Sequence, residues 1–243
     1  MVTRILIILF ALTLSASAQR ICPPNQVNRN GLVGRWLVPG KQTGSVAQPT
    51  LCLDDSGNGN HGTTSSSPNY GVIYSRPAMN FNGSQAINTT YQLGTASAFT
   101  LTAWVRATSW TSAYNNMVGR NRVGSSDRYV LLLVKSNGKM APYLSANSGV
   151  SNYDGTGINT LEVNTWYHLV YVYSSTGGTV VYVNANVDGT GAAKGAILPD
   201  QGGLVIAWDP QNPRYFNGAI AEVRAYNRVL SAAEIRAIYQ GEQ

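Results

Sequence analysis

Short segments in which apolar and polar residues alternate run through most of the 243-residue chain, separated by stretches rich in Gly, Asn, Ser and Pro. Because successive side chains of a strand point to opposite faces of its sheet, this pattern is typical of an all-β sandwich. In the clearest segment, residues 99–106, every second residue from Phe99 to Val105 is apolar. We predict strands at residues 31–38, 78–82, 86–90, 99–106, 129–135, 139–145, 166–173, 179–184, 204–208 and 218–226.

Turn signals lie between these strands, and a helix signal follows the last of them. Asn137-Gly138 is a strong hairpin signal between two of them, and Thr176-Gly-Gly178 joins residues 166–173 to 179–184. The latter pair is almost continuously apolar, which predicts central strands covered on both faces. A helix is expected only at residues 231–240, where Ser231 and Glu234 form a capping box. Residues 41–70 are predicted to be surface loop, and the absence of a repeat or linker predicts one domain over residues 19–243.

The N-terminus has the pattern of a secretory signal peptide. Arg4 precedes an apolar core at residues 5–14, and Ala16-Ser-Ala18 fits a cleavage site. An uncleaved anchor is the alternative, but ten apolar residues are too few to span a bilayer. We therefore predict a signal peptide at residues 1–18 and a secreted, extracellular protein that has no membrane contact after cleavage.

Two cysteines, Cys22 and Cys52, are the only ones in the chain. In an oxidising compartment they are expected to form a disulfide that pins the N-terminal strand. Closing a loop of this length stabilises a fold by about 3.5 kcal/mol in the chain-entropy model.

Six short motifs resemble, in their order, the laminin-G-like domains of the concanavalin A-like lectin/glucanase superfamily, over residues 31–240. They are Gly31-Leu-Val-Gly-Arg-Trp36, the loop Asp54–Gly62, Phe81-Asn-Gly83, the strand at 99–105, Trp166-Tyr-His168 and the closing stretch 216–239. The resemblance implies a two-sheet antiparallel β-sandwich (jelly roll) whose N- and C-terminal strands pair, here followed by a short C-terminal helix.

Calcium is one cofactor that this resemblance implies. Several relatives bind it near the loop that corresponds to residues 54–62, and Asp54, Asp55 and Asn58 supply the oxygen ligands that calcium prefers. The alternative is a solvated turn, because turns favour the same residue types. In relatives an acid of the closing strand usually helps, whereas this chain has Ala221 at that position.

Catalysis is not expected, although the superfamily includes glucanases. Those enzymes use a Glu-x-Asp-x-Glu cluster, and a retaining cleavage needs two carboxylates about 5–5.5 Å apart. None of the four glutamates of this chain has another acid at that spacing. The histidines are His61 and His168, and His168 is predicted to be a packing residue.

Sugar binding is more consistent with the composition of the loops. Aromatic rings and nearby amides or carboxylates bind sugars, and five aromatic residues lie in or beside predicted loops among such groups: Trp110, Tyr114, Tyr153, Trp208 and Tyr215. Their polar neighbours are Asn115, Asn116, Asn152, Asp154, Asp209 and Asn212. The alternative is that these rings close the core. Asn82 and Asn88 match the glycosylation acceptor pattern.

Charge excludes one class of partner and suggests another. The formal charge is +6, but the basic residues are scattered, whereas a nucleic-acid surface needs a basic stripe with interleaved aromatics. Weak attraction to acidic polysaccharide fits better. We predict a secreted, non-catalytic module that binds carbohydrate or glycoprotein. The first alternative is a structural or decoration subunit of an extracellular assembly (a coat, fibre, filament or virion surface), which would bind copies of itself or another extracellular protein. The second alternative is a glycoside hydrolase-like enzyme.

Overall fold

The computed structural model describes residues 28–37, 51–64, 69–73, 76–110, 112–121, 128–145, 151–153, 155–197, 202–209 and 214–241. The predicted signal peptide and Cys22 lie outside these residues. The described part contains the following strands and helix: β1 (Leu32–Trp36), β2 (Leu51–Cys52), β3 (Gly62–Thr64), β4 (Asn69–Ile73), β5 (Arg76–Asn82), β6 (Ile87–Thr89), β7 (Ala98–Ala107), β8 (Tyr114–Asn121), β9 (Arg128–Lys135), β10 (Tyr143–Ser145), β11 (Ser151–Tyr153), β12 (Tyr167–Ser174), β13 (Gly178–Val183), β14 (Asn186–Gly191), β15 (Leu204–Ile206), β16 (Trp208–Asp209), β17 (Arg214–Tyr215), β18 (Asn217–Tyr226) and α1 (Ala232–Gly241).

Two antiparallel sheets form the sandwich. The first has the order β14-β13-β12-β7-β18-β5-β4, with β1 also paired to β18, and the second has the order β11-β10-β9-β8-β15-β6-β3-β2. Strand β1 pairs with β18 from Leu32 opposite Tyr226 to Trp36 opposite Val223, so the N- and C-terminal strands are neighbours. These features confirm the predicted fold class. Strands β16 and β17 form a separate two-stranded hairpin.

Large side chains from both sheets fill the space between them. The set of fully buried aromatic residues includes Trp36, Phe81, Phe99, Tyr171 and Phe216. Phe99 of β7 and Tyr171 of β12 meet edge to face at 5.1 Å. Burying each such side chain contributes about 1.5–3 kcal/mol.

Helix α1 covers the other face of the first sheet. Its buried residues Ile235 and Ile238 pack with Val170 and Val172 of β12 and with Tyr182 of β13. This packing confirms that β12 and β13 are covered on both faces. Within the described residues, α1 has only ten residues, and no helix has the length and apolarity needed to cross a membrane.

The predicted capping box is present at the start of α1. The backbone N–H and hydroxyl of Ser231 donate to Glu234 Oε2 at 2.8 and 3.0 Å, and Glu234 N–H donates to Ser231 Oγ. Arg228 holds the same carboxylate with two nitrogens, at 3.0 and 2.7 Å. These contacts lower the pKa of Glu234 to about 2, the hydrogen bond from Arg228 being the largest cause.

Several strands differ from the sequence prediction. The loop predicted at residues 41–70 contains β2, β3 and the start of β4, because these short strands carry no clear alternation of apolar residues. In the predicted strand 139–145, Met140 makes an isolated bridge to Val134, and β10 begins only after Pro142, which lacks a donor N–H. The sequence prediction missed β8, β11, β14 and β17.

Candidate ligand-binding site

The hairpin of β16 and β17 leaves the second sheet at a strained residue. Ala207 has a positive backbone φ of 68°, which residues other than glycine rarely adopt. Its N–H donates to Met117 O of β8, and its carbonyl accepts from Phe216 N–H, both at 2.9 Å. Because Phe216 is fully buried in the core, the base of the hairpin is fixed.

Two aromatic rings of the hairpin stack on each other. Trp208 and Tyr215 are direct register partners, and their rings lie 5.6 Å apart with an angle of 10° between their planes. Both side chains are partly exposed. Stacked, partly exposed rings are the kind of surface against which the C–H face of a sugar packs.

Strand β8 supplies the other half of the site. A bulge between Asn116 and Val118 places Met117 and Val118 both in the core. The bulge leaves Tyr114 and Asn116 on the outer face, opposite Lys135 and Leu133 of β9.

Three polar atoms of this site lack hydrogen-bond partners. Asn116 is 1% exposed, and its amide nitrogen donates to the carbonyl of Trp208. This bond fixes the orientation of the amide, so Oδ1 is the atom left without a donor. Trp208 Nε1 and Arg214 Nη1 are also buried without an acceptor. Such groups destabilise a fold by about 1–3 kcal/mol each, so a ligand that pairs with them would recover that energy.

Arg214 and Gly119 complete the site. The guanidinium of Arg214 lies over the ring of Tyr114, with Cζ 4.4 Å from the ring centroid. A side chain at Gly119 would lie 2.8 Å from Asn116 Nδ2 and would also clash with Leu131. Glycine at this position therefore lets the Asn116 amide lie flat against the sheet. We call Tyr114, Asn116, Trp208, Arg214 and Tyr215 the hairpin site.

The structure brings together three of the five predicted aromatic residues, Tyr114, Trp208 and Tyr215. Trp110 instead donates its indole N–H to Leu161 O at 2.8 Å and packs against Phe216, so its ring belongs to the core. Tyr153 lies in β11 at the end of the second sheet, opposite Tyr143. The sequence prediction missed Arg214, although its position beside Tyr215 between two predicted strands was visible.

The loop at residues 54–62 satisfies its own polar groups. Asp54 Oδ1 accepts from the backbone N–H groups of Arg35 and Ser56, both at 2.8 Å. Its Oδ2 accepts from Ser56 Oγ and from Asn60 N–H, at 2.8 and 2.9 Å. Asp54 is 7% exposed, so these bonds tie the loop to β1 from a buried position.

The other two predicted calcium ligands also have partners. Asp55 forms an ion pair with Arg35 at 2.8 Å, and Asn58 Nδ2 donates to Leu32 O at 3.0 Å. No group of three or more acidic, histidine or cysteine side chains suited to a metal occurs among the described residues. These contacts fit a structural loop better than a calcium site, since an ion would have to displace the donors on Asp54. Calcium binding stays a prediction.

Glu222 takes part in the neighbouring ion-pair network. A bulge in β18 gives it a positive φ of 51° and directs its carboxylate between Arg35 and Arg224, 3.2 Å from each. Both arginines are buried, so this acid compensates their charges. The bulge follows Ala221, the position where relatives usually carry an aspartate, and Ala221 itself is fully buried.

The remaining predicted sites lie apart from the hairpin site. Cys52 is a buried, free thiol in the described part of the chain, and burial raises its pKa to about 12. Its predicted partner Cys22 is not among the described residues, so the disulfide stays a prediction. Asn82 and Asn88 are both exposed, and Asn82 Oδ1 accepts from Ser84 in a local turn.

His168 is a packing residue, as predicted. It is fully buried, with its ring 5.3 Å from Trp104 and 6.1 Å from Tyr239. Neither ring nitrogen has a hydrogen-bond partner. Burial, and then the charges of Arg224 and Arg76, lower its pKa to about 3.

Comparison with known families assigns residues 81–236 to a laminin-G-like model of the concanavalin A-like lectin/glucanases superfamily. That segment covers more than half of the chain and includes the whole hairpin site. No curated protein sequence matches the chain.

Solved structures share the fold at low sequence identity. Domain 4 of an extracellular arabinanase from Geobacillus stearothermophilus, in complex with arabinotriose, aligns with a TM-score of 0.66 and 17% identity, over 87% of this chain and 98% of that domain. The binding domain of Paraclostridial Mosquitocidal Protein 1 aligns with a TM-score of 0.67 and 13% identity, over 87% and 52% of the two chains. Trypanosoma rangeli sialidase aligns with a TM-score of 0.59 and 20% identity, over 86% of this chain and 32% of the sialidase.

Proposed function

Since the chain belongs to the concanavalin A-like lectin/glucanases superfamily, we propose that it is a secreted, non-catalytic module that binds carbohydrate at the hairpin site. One observation carries this proposal. The stacked pair Trp208–Tyr215 lies beside three buried polar atoms without partners, two of them donors and one an acceptor.

This combination matches the chemistry of a sugar ring. A pyranose or furanose offers an apolar C–H face for stacking and hydroxyls that both donate and accept hydrogen bonds. Hydroxyls have the complementary capacity for both kinds of unpaired atom, since they can donate to an acceptor such as Asn116 Oδ1 and accept from a donor such as Trp208 Nε1. The partly exposed rings provide the apolar surface.

Two relatives of the fold support the proposal. One is an arabinanase domain bound to arabinotriose, and the other is the binding domain of a toxin. Both are domains of larger proteins. The apolar start of the chain at residues 5–14 supports secretion.

The contacts of three of the described carboxylates support a role without catalysis. Asp54 accepts four hydrogen bonds, Glu222 lies between two arginines, and Glu234 forms the helix cap. A retaining glycosidase needs two carboxylates about 5–5.5 Å apart that face a substrate, and these three are engaged in structural contacts instead.

A glycan array followed by calorimetry tests the proposal. The secreted chain from residue 19 is applied with and without chelator, and the variants W208A and W208F are measured on each glycan that binds. We expect W208A to weaken binding roughly thirtyfold, as removal of a central aromatic contact does. W208F retains a ring but lacks the N–H, so it should fall between W208A and the unmodified chain.

The matched control is W166F. Trp166 belongs to the first sheet, and its indole N–H, unlike that of Trp208, donates to a backbone carbonyl, that of Ile73. It should therefore bind glycans as the unmodified chain does. Absence of binding to every glycan, or equal binding by W208A, would contradict the proposal and favour a structural subunit of an extracellular assembly.

A further inference from the structure

In the described part of the chain, no carboxylate pairs with the guanidinium of Arg214. Three other arginines, Arg35, Arg224 and Arg228, have carboxylate partners at 2.7–3.2 Å. Among the described residues, Arg214 has no ion-pair partner, and its one aromatic neighbour is Tyr114. A guanidinium remains protonated at every physiological pH, so this charge is permanent.

Stacking on Tyr114 fixes how the guanidinium can be used. The group is planar, and its five N–H donors lie in that plane. The guanidinium carbon lies 4.4 Å from the centroid of the Tyr114 ring, and this contact holds the group beside the ring. One of them, Nη1, is buried and has no acceptor. Nη1 is therefore a donor for which the described residues supply no acceptor.

The acceptor that fits best carries a negative charge. Hydrogen bonds between a guanidinium and a carboxylate are about twice as strong as neutral ones and are commonly paired. The rings of Tyr114, Trp208 and Tyr215 lower the local dielectric, which strengthens such a pair further. A neutral hydroxyl would satisfy the N–H but would leave the charge uncompensated.

We propose that Arg214 makes the hairpin site selective for acidic saccharides, with the guanidinium binding the carboxylate of a sugar that packs on Trp208 and Tyr215. This inference rests on the proposed function. It also agrees with the formal charge of +6, which attracts an acidic polysaccharide over longer distances. A sulfate ester presents similar oxygens, so carboxylated and sulfated sugars share the required chemistry.

The test compares acidic glycans with their neutral counterparts. The probes are oligomers of galacturonate, of mannuronate and of alternating glucuronate and N-acetylglucosamine, each beside its carboxyl-reduced form, together with a sulfated galactan oligomer. The variants are R214Q, which removes the charge, and R214K, which retains it without the planar fork. R236Q is the charge-matched control, because Arg236 is exposed on α1.

We expect at least one carboxylated oligomer to bind about tenfold more tightly than its reduced form, and added salt to weaken that preference. R214Q should abolish the preference, R214K should retain part of it, and R236Q should leave it unchanged.

The outcomes separate this inference from the proposed function. If glycans bind in a Trp208-dependent way, but reduced forms bind equally well and R214Q has no effect, the acidic preference is refuted and the sugar site stands. If only the sulfated oligomer binds more tightly than neutral glycans, and R214Q loses this preference, Arg214 recognises sulfate and the proposal that it binds a carboxylate is refuted. If no glycan binds, both proposals fail.

Discussion

Acid should destabilise this fold through one buried side chain, His168. Its pKa is about 3 in the folded protein against 6.5 for an ordinary histidine. The folded state therefore keeps the imidazole neutral, whereas the unfolded chain takes up a proton as the pH falls below 6.5. The stability contributed by the neutral ring is complete above pH 6.5 and is lost progressively as the pH falls toward 3.

The size of the effect follows from the two pKa values. Between them, each unit of pH removes about 1.4 kcal/mol, because one proton binds on unfolding. From about pH 7.5 to about pH 5 the loss is about 2 kcal/mol. Glu234 has a pKa of about 2 in the folded protein and an ordinary pKa of 4.5, so it also loses stability for the fold as the pH falls, but only below about pH 4.5. Its contribution therefore lies outside the range from about pH 7.5 to about pH 5.

The perturbation is H168F, which keeps a ring between Trp104 and Tyr239 and removes the titration. Neither nitrogen of His168 has a hydrogen-bond partner, so the substitution breaks no hydrogen bond of the ring. Urea unfolding at about pH 7.5 and about pH 5 gives the free energy of unfolding at each pH.

The quantity to compare is the difference in the free energy of unfolding between the two pH values, measured for each variant. We expect the unmodified chain to lose about 2 kcal/mol and H168F to lose markedly less. The control H61Q removes the other histidine and should retain the loss caused by His168. An equal pH dependence in H168F and the unmodified chain would refute the argument.

Three further predictions test the loop, the sheet and the cap. D54A leaves a buried N–H of β1 unpaired and should lower the free energy of unfolding by about 3 kcal/mol in urea titrations. Calcium should leave the melting temperature of the unmodified chain unchanged, and a clear rise in that temperature would favour the metal site. G119A should displace Asn116 and reduce glycan binding more than it reduces thermal stability, and equal losses would argue against this role. E234Q weakens the cap held by Arg228 and should lower stability by about 1 kcal/mol at neutral pH but not at about pH 2, as measured by circular dichroism.

The sequence predicted those parts of the fold whose local signals agree with their surroundings. The strand at residues 99–106 alternates in the sequence and is β7 in the structure, and the capping box at Ser231 is formed as expected. Strand β8 was missed because Tyr114-Asn-Asn-Met-Val-Gly-Arg-Asn121 has a bulge, which puts two successive residues in the core and breaks the alternation.

The candidate site could be predicted only in part for the same reason. The sequence selected Trp208 and Tyr215 because they lie between two predicted strands, and the structure pairs them in one hairpin, while their role in binding stays a prediction. Whether a ring is exposed depends on the partner across the sheet, and so Trp110, with a similar sequence context, lies against the core. Arg214 became a candidate only when the structure showed that its charge has no partner.

Among the described residues, buried polar atoms without hydrogen-bond partners occur on both sheets, and their surroundings differ. His168 has two unpaired nitrogens, yet it lies fully buried against Trp104 and Tyr239, and helix α1 covers that face of the first sheet. At the hairpin site the neighbouring rings are partly exposed. Three unpaired atoms, at about 1–3 kcal/mol each, are a large fraction of the 5–15 kcal/mol by which domains are usually stable. Strain at Ala207 adds to this and holds the hairpin over β8. The coincidence of unpaired polar atoms and partly exposed rings at one hairpin is the reason why we propose a binding site on the second sheet.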